Sequence, residues 1–161
     1  MLSKLKNIKL IATDFDGILT DGFVYYSNLS HEEIKRISFK DIMGMSLAIK
    51  NNYKIAIISG EKNSIIDKVA NKFNLEDVHQ GIKDKLCAMQ SISEKYSLSF
   101  DEICYLGDDI NDISVLEKVK LAVTVPGANS KVKKISNIFI TEANAGDGAF
   151  REVVDLLIDN R

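Results

Sequence analysis

Residues 8–22 read IKLIATDFDGILTDG, and this stretch decides the fold. It begins with the apolar run 8–13, which is typical of a buried strand, and continues directly into Asp14 and Asp16. Side chains two residues apart on an extended chain point to the same face. Open α/β sheets bind their ligands at the carboxyl ends of the strands. The segment therefore predicts a strand that delivers two carboxylates to a binding site.

The rest of the chain repeats this strand pattern. Short β-branched runs alternate with segments whose apolar residues recur three and four positions apart, which is typical of a parallel sheet covered by helices on both faces. The predicted strands are residues 8–13, 54–59, 103–106, 121–125 and 138–140, and the predicted helices are residues 44–51, 64–73, 83–96, 112–119, 129–135 and 149–158. We therefore expect an α/β fold with a Rossmann-like, doubly wound parallel sheet.

One segment interrupts the alternation. Residues 23–26 and 33–39 resemble two strands around the polar stretch 27–32, which predicts a β-hairpin inserted after the first strand. An isolated hairpin is only marginally stable in water. We therefore expect this hairpin to pack against something else, and a neighbouring subunit is a good candidate.

Length and composition narrow the class of protein. A chain of 161 residues, 45% of them apolar, has the size of one ordinary domain, so residues 1–161 are expected to form a single domain. The net charge of −2 gives no broad basic field, which predicts no nucleic acid and no membrane as partner. The apolar runs are too short to span a bilayer, and the chain reaches Asp14 too soon for a signal peptide, so a cytoplasmic protein is expected. Cys87 and Cys104 lie in apolar patterns, which predicts two reduced core thiols.

A second acidic cluster follows the predicted strand 103–106. Residues 107–112 there read GDDIND. Another predicted strand ends in a serine, and a lysine opens a predicted helix. A doubly wound sheet would bring these groups to one crevice. They are Asp14, Asp16, Ser59, Lys85, Asp108, Asp109 and Asp112.

Clustered carboxylates raise one another's pKa unless a cation offsets their charge. Magnesium fits such a cluster best, because it takes one or two protein carboxylates together with phosphate oxygens. The pattern indicates a two-step phosphoryl transfer, in which Asp14 attacks phosphorus while Asp16 protonates the leaving oxygen and later activates water. Ser59 would donate to a phosphoryl oxygen, and Lys85 would offset the charge on the equatorial oxygens.

Each of these residues also has a purely structural interpretation. Asp14 and Asp16 fit a solvated loop that uses acids for turns and caps. Ser59 alone is more often a helix cap, and Lys85 alone is more often a surface residue. The spacing Asp-x-Asp-Gly-x-x-Thr-Asp and the order of the four features favour the catalytic interpretation.

That order resembles a known family. The segments Asp14-x-Asp16-Gly-x-x-Thr20, Ser59, Lys85 and Gly107-Asp108-Asp109-x-x-Asp112 follow the sequence of the four motifs of the haloacid dehalogenase superfamily. The resemblance is greatest to its small capless phosphatases, which act on 3-deoxy-D-manno-octulosonate 8-phosphate or on the nine-carbon KDN 9-phosphate. The further matches to these phosphatases are Thr20-Asp21-Gly22, Gln80-Gly81 and residues 146–152.

The resemblance implies an assembly, a metal site and a substrate class. It implies a homotetramer whose hairpins meet at the centre, with neighbouring subunits capping each active site in place of a cap domain. It implies Mg²⁺ held by Asp14, the backbone carbonyl of Asp16, and Asp108. Asp109 and Asp112 would then support the metal and the active-site lysine from nearby. The substrate would be a phosphorylated sugar acid.

The resemblance leaves the length of that sugar acid open. After the third-strand serine, the octulosonate enzymes tend to have Gly-Arg, whereas this chain has Gly60-Glu61-Lys62, which resembles the nine-carbon branch. Glu61 and Lys72 match positions associated with the sugar in that branch. Val69, with Lys68 beside it, replaces an arginine that is often found on the following helix. Gly60, Glu61 and Lys72 are therefore the expected substrate-binding residues.

Two other classes of protein remain as alternatives. A signalling receiver domain also combines clustered acids, a phospho-accepting aspartate and a lysine on a doubly wound sheet. It carries its acid pair early and lacks the later Gly-Asp-Asp-x-x-Asp, so the order of motifs favours the phosphatase. A non-catalytic assembly module with a phosphatase fold is the second alternative, and the intact set of acids with Lys85 argues against it.

Overall fold

A computed structural model describes residues 2–27 and 33–161, with the side chains of residues 2–4 excepted. The strands are β1 (Leu10–Thr13), β2 (Tyr25–Tyr26), β3 (Glu33–Ile34), β4 (Lys54–Ile58), β5 (Asp77–His79), β6 (Ile103–Leu106), β7 (Leu121–Thr124) and β8 (Phe139–Ile140). The helices are α1 (Phe39–Lys50), α2 (Ser64–Phe73), α3 (Lys85–Tyr96), α4 (Ile113–Leu116) and α5 (Ala149–Asp159). Short 3₁₀ turns lie at Leu2–Asn7, Phe100–Glu102, Ile110–Asp112 and Val132–Lys134.

Six of the strands form one parallel sheet in the order β5-β4-β1-β6-β7-β8. β1 lies in the middle, where Ala12 is in register with Ala56 of β4 and with Tyr105 of β6. The chain adds strands on one side through β4 and β5 and then on the other side through β6, β7 and β8. The switch point of the sheet therefore lies at the carboxyl end of β1, where ligands bind in such folds. The predicted fold class is confirmed.

Helices cover both faces of the sheet. Alternate residues of β1 enter opposite layers, with Ile11 on one face and Leu10 and Ala12 on the other. The first layer holds α1, α2 and α5, and the second holds α3 and α4. The buried helical side chains include Met45, Ile66 and Val153 in the first layer, and Met89, Val115 and Leu116 in the second.

The predicted hairpin is present as β2 and β3, which pair antiparallel with Tyr25 opposite Ile34. Most of its polar tip, residues 28–32, lies outside the described residues. A single antiparallel bridge between Thr20 and Ile37 ties the base of the hairpin to the loop after β1. Its large apolar side chains are solvent-exposed over more than half of their area at Phe23, Tyr25, Tyr26 and Ile34. The hairpin thus presents an uncovered apolar surface within one chain.

The second hairpin strand is shorter than predicted, since β3 ends at Ile34, and α1 begins at Phe39 and not at residue 44. The Ser38 side chain accepts a hydrogen bond from Lys40 N at 3.1 Å and so caps the helix. Asp41 in the first turn accepts from Gly148 N and Arg151 N, which fixes α1 against the start of α5. The apolar periodicity missed this turn because its anchoring contacts are polar.

Three further expectations need correction. β5 was not predicted, since Val78 is the only apolar residue of this three-residue edge strand. Residues 129–135 form only the 3₁₀ turn Val132–Lys134, and the regular part of the helix predicted at 112–119 is Ile113–Leu116. Cys104 is buried as expected, but Cys87 is exposed. The predicted core position of Cys87 is wrong, because α3 turns Ala88, Met89 and Ile92 toward the sheet instead.

None of the helices among the described residues combines the length and apolar character needed to cross a bilayer.

Candidate active site

A polar cleft of about 290 Å³ opens at the carboxyl ends of β1, β4 and β6. Predicted site residues from three separate parts of the sequence line it, so the doubly wound sheet brings them together. The lining residues are Asp14, Asp16, Gly17, Gly22, Ser59, Gly60, Glu61, Asp108, Asp109 and Asn111. Lys85 and Asp112 are buried and reach the cleft through their contacts with other side chains.

Asp14 is the first residue after β1 and is 6% exposed. Its backbone N–H donates to the carbonyl of Leu106, which extends the pairing with β6 by one residue. One carboxylate oxygen, Oδ1, accepts from Phe15 N at 2.6 Å, and the other, Oδ2, lies 2.7 Å from Lys85 Nζ. Burial raises the pKa of Asp14 to about 7, with a further increase from Asp112, although Lys85 opposes both.

Lys85 is held between two acids. It is the first residue of α3, a helix capped by Asp84, and its side chain is fully buried. Its Nζ lies 2.7 Å from Asp14 Oδ2 and 2.7 Å from Asp112 Oδ1. Burial alone lowers the pKa of Lys85, but the two carboxylates outweigh it, so the pKa is raised. Lys85 is therefore a fixed positive charge beside Asp14.

Asp112 anchors that lysine. Its Oδ1 also accepts from Tyr105 Oη at 2.6 Å, and its Oδ2 accepts from the backbone N–H groups of Asp108 and Asp109, each at 3.1 Å. A buried tyrosine hydroxyl needs such a partner. The sequence pattern missed Tyr105, because a tyrosine in an apolar strand looks like any core residue.

Gly17 and Asp108 are in direct contact across the cleft. Gly17 has a φ of +80°, and a Cβ at this position would lie 2.2 Å from Asp108 Oδ2. Only glycine combines this backbone conformation with so close an approach. Burial raises the pKa of Asp108 to about 7, and the neighbouring Asp112 and Asp109 add to the increase. The absence of a side chain at Gly17 therefore allows the loop after β1 to lie against the Asp108 carboxylate.

Three carboxylates lie close enough to share a cation. One oxygen from each of Asp14, Asp108 and Asp112 lies within 4.8 Å of the others. Asp112 is fully buried and does not line the cleft, and both of its oxygens accept hydrogen bonds from the protein, which suits an anchor better than a ligand. Asp14 and Asp108, whose pKa values are raised, are the carboxylates whose charge a hard divalent cation would offset. The donor set therefore fits such an ion.

Asp16 directly precedes Gly17 in the loop after β1, and the hairpin holds its side chain. Its Oδ1 is 2.7 Å from Lys35 Nζ and accepts from Thr20 Oγ1 at 3.3 Å. The same Thr20 oxygen accepts from Gly17 N and Gly22 N, which closes the loop around it. Lys35 was not predicted, because nothing local distinguishes it from a surface lysine.

Ser59 directly follows β4 and is 1% exposed. Its Oγ accepts from Glu61 N at 3.2 Å, so the hydroxyl hydrogen is the group that could donate to an anion. Gly60 and Glu61 line the cleft beside it. Gln80 steadies this loop, since its side chain accepts from Asn63 N at 2.8 Å.

Of the remaining predicted residues, Asp109 lines the cleft and Lys72 does not. Lys72 is exposed in the last turn of α2 and is not among the cleft residues, so contact with a sugar would require a neighbouring copy of the chain. Val69 is buried in the core, whereas Lys68 lines an adjacent groove. Asp109 accepts from Ile110 N and Asn129 Nδ2; the hydrogen bonds and ion pairs described here do not join it to Lys85.

The late glycine-rich segment braces the loop after β1. Gly146 N donates to the carbonyl of Ile18 at 2.9 Å, and a Cβ on Gly146 would lie 2.5 Å from Asp21 N. Glu152 accepts from the backbone N–H groups of Glu142 and Ala143, which fixes the turn that carries the glycine. The segment thus supports the loop after β1, which carries Asp14 and Asp16.

The fold and the site define a doubly wound α/β protein with an acidic, lysine-anchored cleft at the switch point of its sheet. Residues 58–153 match the model of the haloacid dehalogenase-like hydrolases. The chain belongs to this family, which confirms the resemblance inferred from its motifs.

Curated and structural relatives agree with this assignment. Over 158 residues the chain is 34% identical to the 3-deoxy-D-manno-octulosonate 8-phosphate phosphatase of Salmonella typhi, covering 98% of this chain and 83% of that protein. The corresponding phosphatase of Moraxella catarrhalis, solved with magnesium, phosphate and KDO, has a TM-score of 0.94 at 30% identity, covering 99% and 91% of the two chains. A cobalt-bound phosphatase from Haemophilus influenzae has a TM-score of 0.90 at 26% identity, covering 98% and 91%.

Proposed function

We propose that this protein is a magnesium-dependent phosphatase that hydrolyses an eight- or nine-carbon 3-deoxy-2-keto sugar acid phosphate. The observation that carries the proposal is the buried contact between Asp14 and Lys85 at the switch-point cleft. The eight-carbon substrate, 3-deoxy-D-manno-octulosonate 8-phosphate, is favoured because the similar phosphatases of Salmonella typhi and Moraxella catarrhalis carry that name. The chain's Glu61, where the octulosonate enzymes tend to have arginine, keeps the nine-carbon KDN 9-phosphate as the second candidate.

In the first step Asp14 is the nucleophile. An oxygen of its carboxylate attacks phosphorus, and the bond between phosphorus and the sugar oxygen breaks. Asp16 transfers its proton to that leaving oxygen, so the sugar acid departs as an alcohol. The products of this step are the free sugar acid and a phosphate ester on Asp14.

In the second step water releases the phosphate. Asp16, now ionised, takes a proton from water while the water oxygen attacks phosphorus. The bond between phosphorus and Asp14 breaks, which regenerates the carboxylate and frees inorganic phosphate. Ser59 donates to a phosphoryl oxygen and Lys85 offsets the charge on the phosphoryl group in both steps.

Asp14, the backbone carbonyl of Asp16, and Asp108 would hold Mg²⁺. Bound there, the ion would neutralise negative charge on the phosphate oxygens. The carboxylates of Asp14 and Asp108 support this arrangement, because they lie close together and burial raises their pKa values. Asp112 holds Lys85 in place, and Asp109 supports the loop after β6 through its hydrogen bonds.

The decisive experiment is a substrate panel with controlled metal. The full chain, stripped with EDTA, is assayed for phosphate release from eight- and nine-carbon keto acid phosphates and from glucose 6-phosphate, with and without magnesium. We expect magnesium to restore turnover and the sugar acid phosphates to have the highest kcat/KM. Stoichiometric phosphorylation without turnover would instead indicate a receiver-like function. Equal activity on glucose 6-phosphate would contradict the proposed substrate class.

The hairpin supports a proposed homotetramer. Phe23, Tyr25, Tyr26 and Ile34 are large apolar residues that stay exposed in a single chain, and exposed apolar patches of this kind mark interaction surfaces. Copies of the hairpin would cover one another and place neighbouring chains over the clefts. Size-exclusion chromatography with light scattering tests the assembly, and a monomer at assay concentration would contradict it.

We further propose that residues 1–161 act as one domain and that the protein works in the cytoplasm. Two free cysteines, Cys87 and Cys104, support a reducing compartment. Cell fractionation of the native host with an antibody against the chain tests the location.

A further inference from the structure

Lys35 differs from the residues around it on the hairpin. It directly follows β3, and its side chain is only 4% exposed. Its neighbour Arg36 also pairs with an acid, Asp21, but the Arg36 side chain is 61% exposed. A buried ammonium group is costly unless it has a partner. The partner of Lys35 is Asp16, whose Oδ1 lies 2.7 Å from Nζ.

The two oxygens of Asp16 have different surroundings. Oδ1 receives hydrogen bonds from Lys35 Nζ and Thr20 Oγ1. Oδ2 is buried and has no hydrogen-bond partner within the described part of the chain. A carboxyl group with one oxygen fixed by two donors cannot rotate freely, and its second oxygen is the one left to carry a proton to another group or to accept one from it.

Lys35 also lies where it can affect the substrate side of the cleft. Together with Asp16, Gly22 and Glu61 it lines a groove of about 420 Å³ that continues from the catalytic cleft. A direct contact between Lys35 and the substrate is therefore the competing explanation for any effect on activity, and the experiment must separate the two.

We propose that Lys35 is a positioning residue that holds the carboxyl group of Asp16 in the orientation for proton transfer. This inference rests on the proposed function, in which Asp16 protonates the leaving sugar oxygen. It assigns the hairpin a role within its own chain, because the base of the hairpin fixes Lys35 relative to Asp16 through the Thr20–Ile37 bridge. Precise placement of an acid matters because proton transfer requires hydrogen-bond distance.

The test is a double-mutant cycle on the full chain with magnesium present. Lys35→Met, Asp16→Asn and the double variant are compared on p-nitrophenyl phosphate and on an alkyl phosphate such as 3-deoxy-D-manno-octulosonate 8-phosphate. With the alkyl ester, we expect Lys35→Met to lower kcat about 10- to 100-fold, a part of the roughly 10²- to 10⁴-fold that general acid catalysis contributes, and to change KM less than about threefold. With p-nitrophenyl phosphate the loss should be smaller, because nitrophenolate leaves without a proton, but it should still exceed about fivefold, because Asp16 also activates water in the second step.

The cycle separates positioning from other roles. If Lys35 acts through Asp16, Lys35→Met should lower the residual p-nitrophenyl phosphatase activity of Asp16→Asn by less than about twofold. An equal loss in both backgrounds would show that Lys35 acts independently. A raised KM with unchanged kcat would show substrate binding instead, and either result overturns the proposal.

Matched variants complete the design. Arg36→Met removes a neighbouring cation of the hairpin and should leave kcat and KM unchanged for both substrates. Lys35→Gln provides a second, polar replacement in case Lys35→Met fails to fold, as judged by circular dichroism. Wild-type turnover with unchanged kinetics in a folded Lys35 variant would reject only this inference. The absence of any wild-type turnover would reject the proposed function as well.

Discussion

Lys85 Nζ lies 2.7 Å from Asp14 Oδ2, which places a buried positive charge directly against the proposed nucleophile. The same ammonium group is 2.7 Å from Asp112, and the cation thus links the end of β1 to the acidic loop after β6. Two buried acids around one lysine leave an excess of negative charge. Burial is the main cause of the raised pKa of Asp14, and the negative charge of Asp112 adds to it. The lysine and its two acids can therefore be tested by substitution.

Replacing Lys85 by methionine should affect both activity and stability. Breaking a buried ion pair by removing one partner costs about 3–5 kcal/mol. Removing the charge that offsets the phosphoryl group should lower kcat by about 10²–10³. Urea unfolding in EDTA and steady-state assays measure the two effects.

The control for that variant is Lys118→Met, which removes an exposed lysine. Its unfolding midpoint and kcat should match those of the wild type. A Lys85→Met protein with wild-type stability would show that the buried acids do not need the lysine.

Tyr105→Phe tests the support behind Lys85. The variant loses the hydrogen bond from Tyr105 Oη to Asp112 Oδ1, and a hydrogen bond to a charged group contributes about 1.5–3 kcal/mol. Asp112 keeps its contacts with Lys85 and the backbone, so kcat should fall less than about tenfold. Urea unfolding and alkyl phosphate assays measure both quantities.

Tyr53→Phe is the matched control, because Tyr53 Oη donates to the carbonyl of Leu157 at 3.2 Å, away from the cleft. It should lose stability without losing activity. Equal kinetic effects of the two substitutions would contradict a specific role for Tyr105.

The sequence predicted the parts of this site that depend on local spacing. Asp14 and Asp16 were recognisable because they follow an apolar strand two residues apart, and Lys85 because it follows Ser59 and precedes Asp108 in the order of the four motifs. Tyr105 and Lys35 were missed, since each meets its acid through contacts that only the folded sheet and hairpin create. The first turn of α1 was missed for a similar reason, because Asp41 caps the distant α5.

Gly17→Ala should disturb the position of the Asp108 carboxylate. The substitution would force a Cβ to within 2.2 Å of Asp108 Oδ2 at a positive φ, so the loop or the carboxylate must move. We expect the magnesium concentration for half-maximal activity to rise at least about tenfold, in line with the cost of misplacing the support of a metal ligand. Magnesium titrations of activity and of thermal stability measure the change.

Gly127→Ala provides the comparison, because a Cβ there would have no atom within 4 Å. It should leave the magnesium dependence unchanged. Unaltered magnesium dependence in a folded Gly17→Ala protein would contradict the expectation that this contact fixes the Asp108 carboxylate.

Asp14→Asn should abolish turnover while the protein stays folded, because an amide preserves the shape but is a poor nucleophile. When turnover of a phosphate-labelled substrate is quenched with acid, the wild type should retain labelled phosphate on the protein. The variant should retain none. Circular dichroism checks the fold. Near-normal activity in Asp14→Asn would rule out the covalent mechanism.

The pH dependence of stability should differ between EDTA and magnesium. Asp14 and Asp108 have pKa values of about 7 in the metal-free fold, against 3.8 normally. A carboxyl group whose folded pKa is raised contributes stability below its unfolded pKa, and this contribution is lost as pH rises through the folded pKa. In EDTA, these two groups should therefore lower Tm between about pH 4 and about pH 8.

Magnesium competes with the same protons, so its stabilising effect should grow over this range. Differential scanning calorimetry of the wild type and Asp108→Asn, each with EDTA or magnesium, isolates the contribution of the site from that of other titrating groups. The variant should show a smaller loss of Tm with pH in EDTA and little response to magnesium. An equal magnesium-induced rise in Tm at about pH 5 and about pH 8 would mean that these carboxylates are not protonated in the metal-free protein.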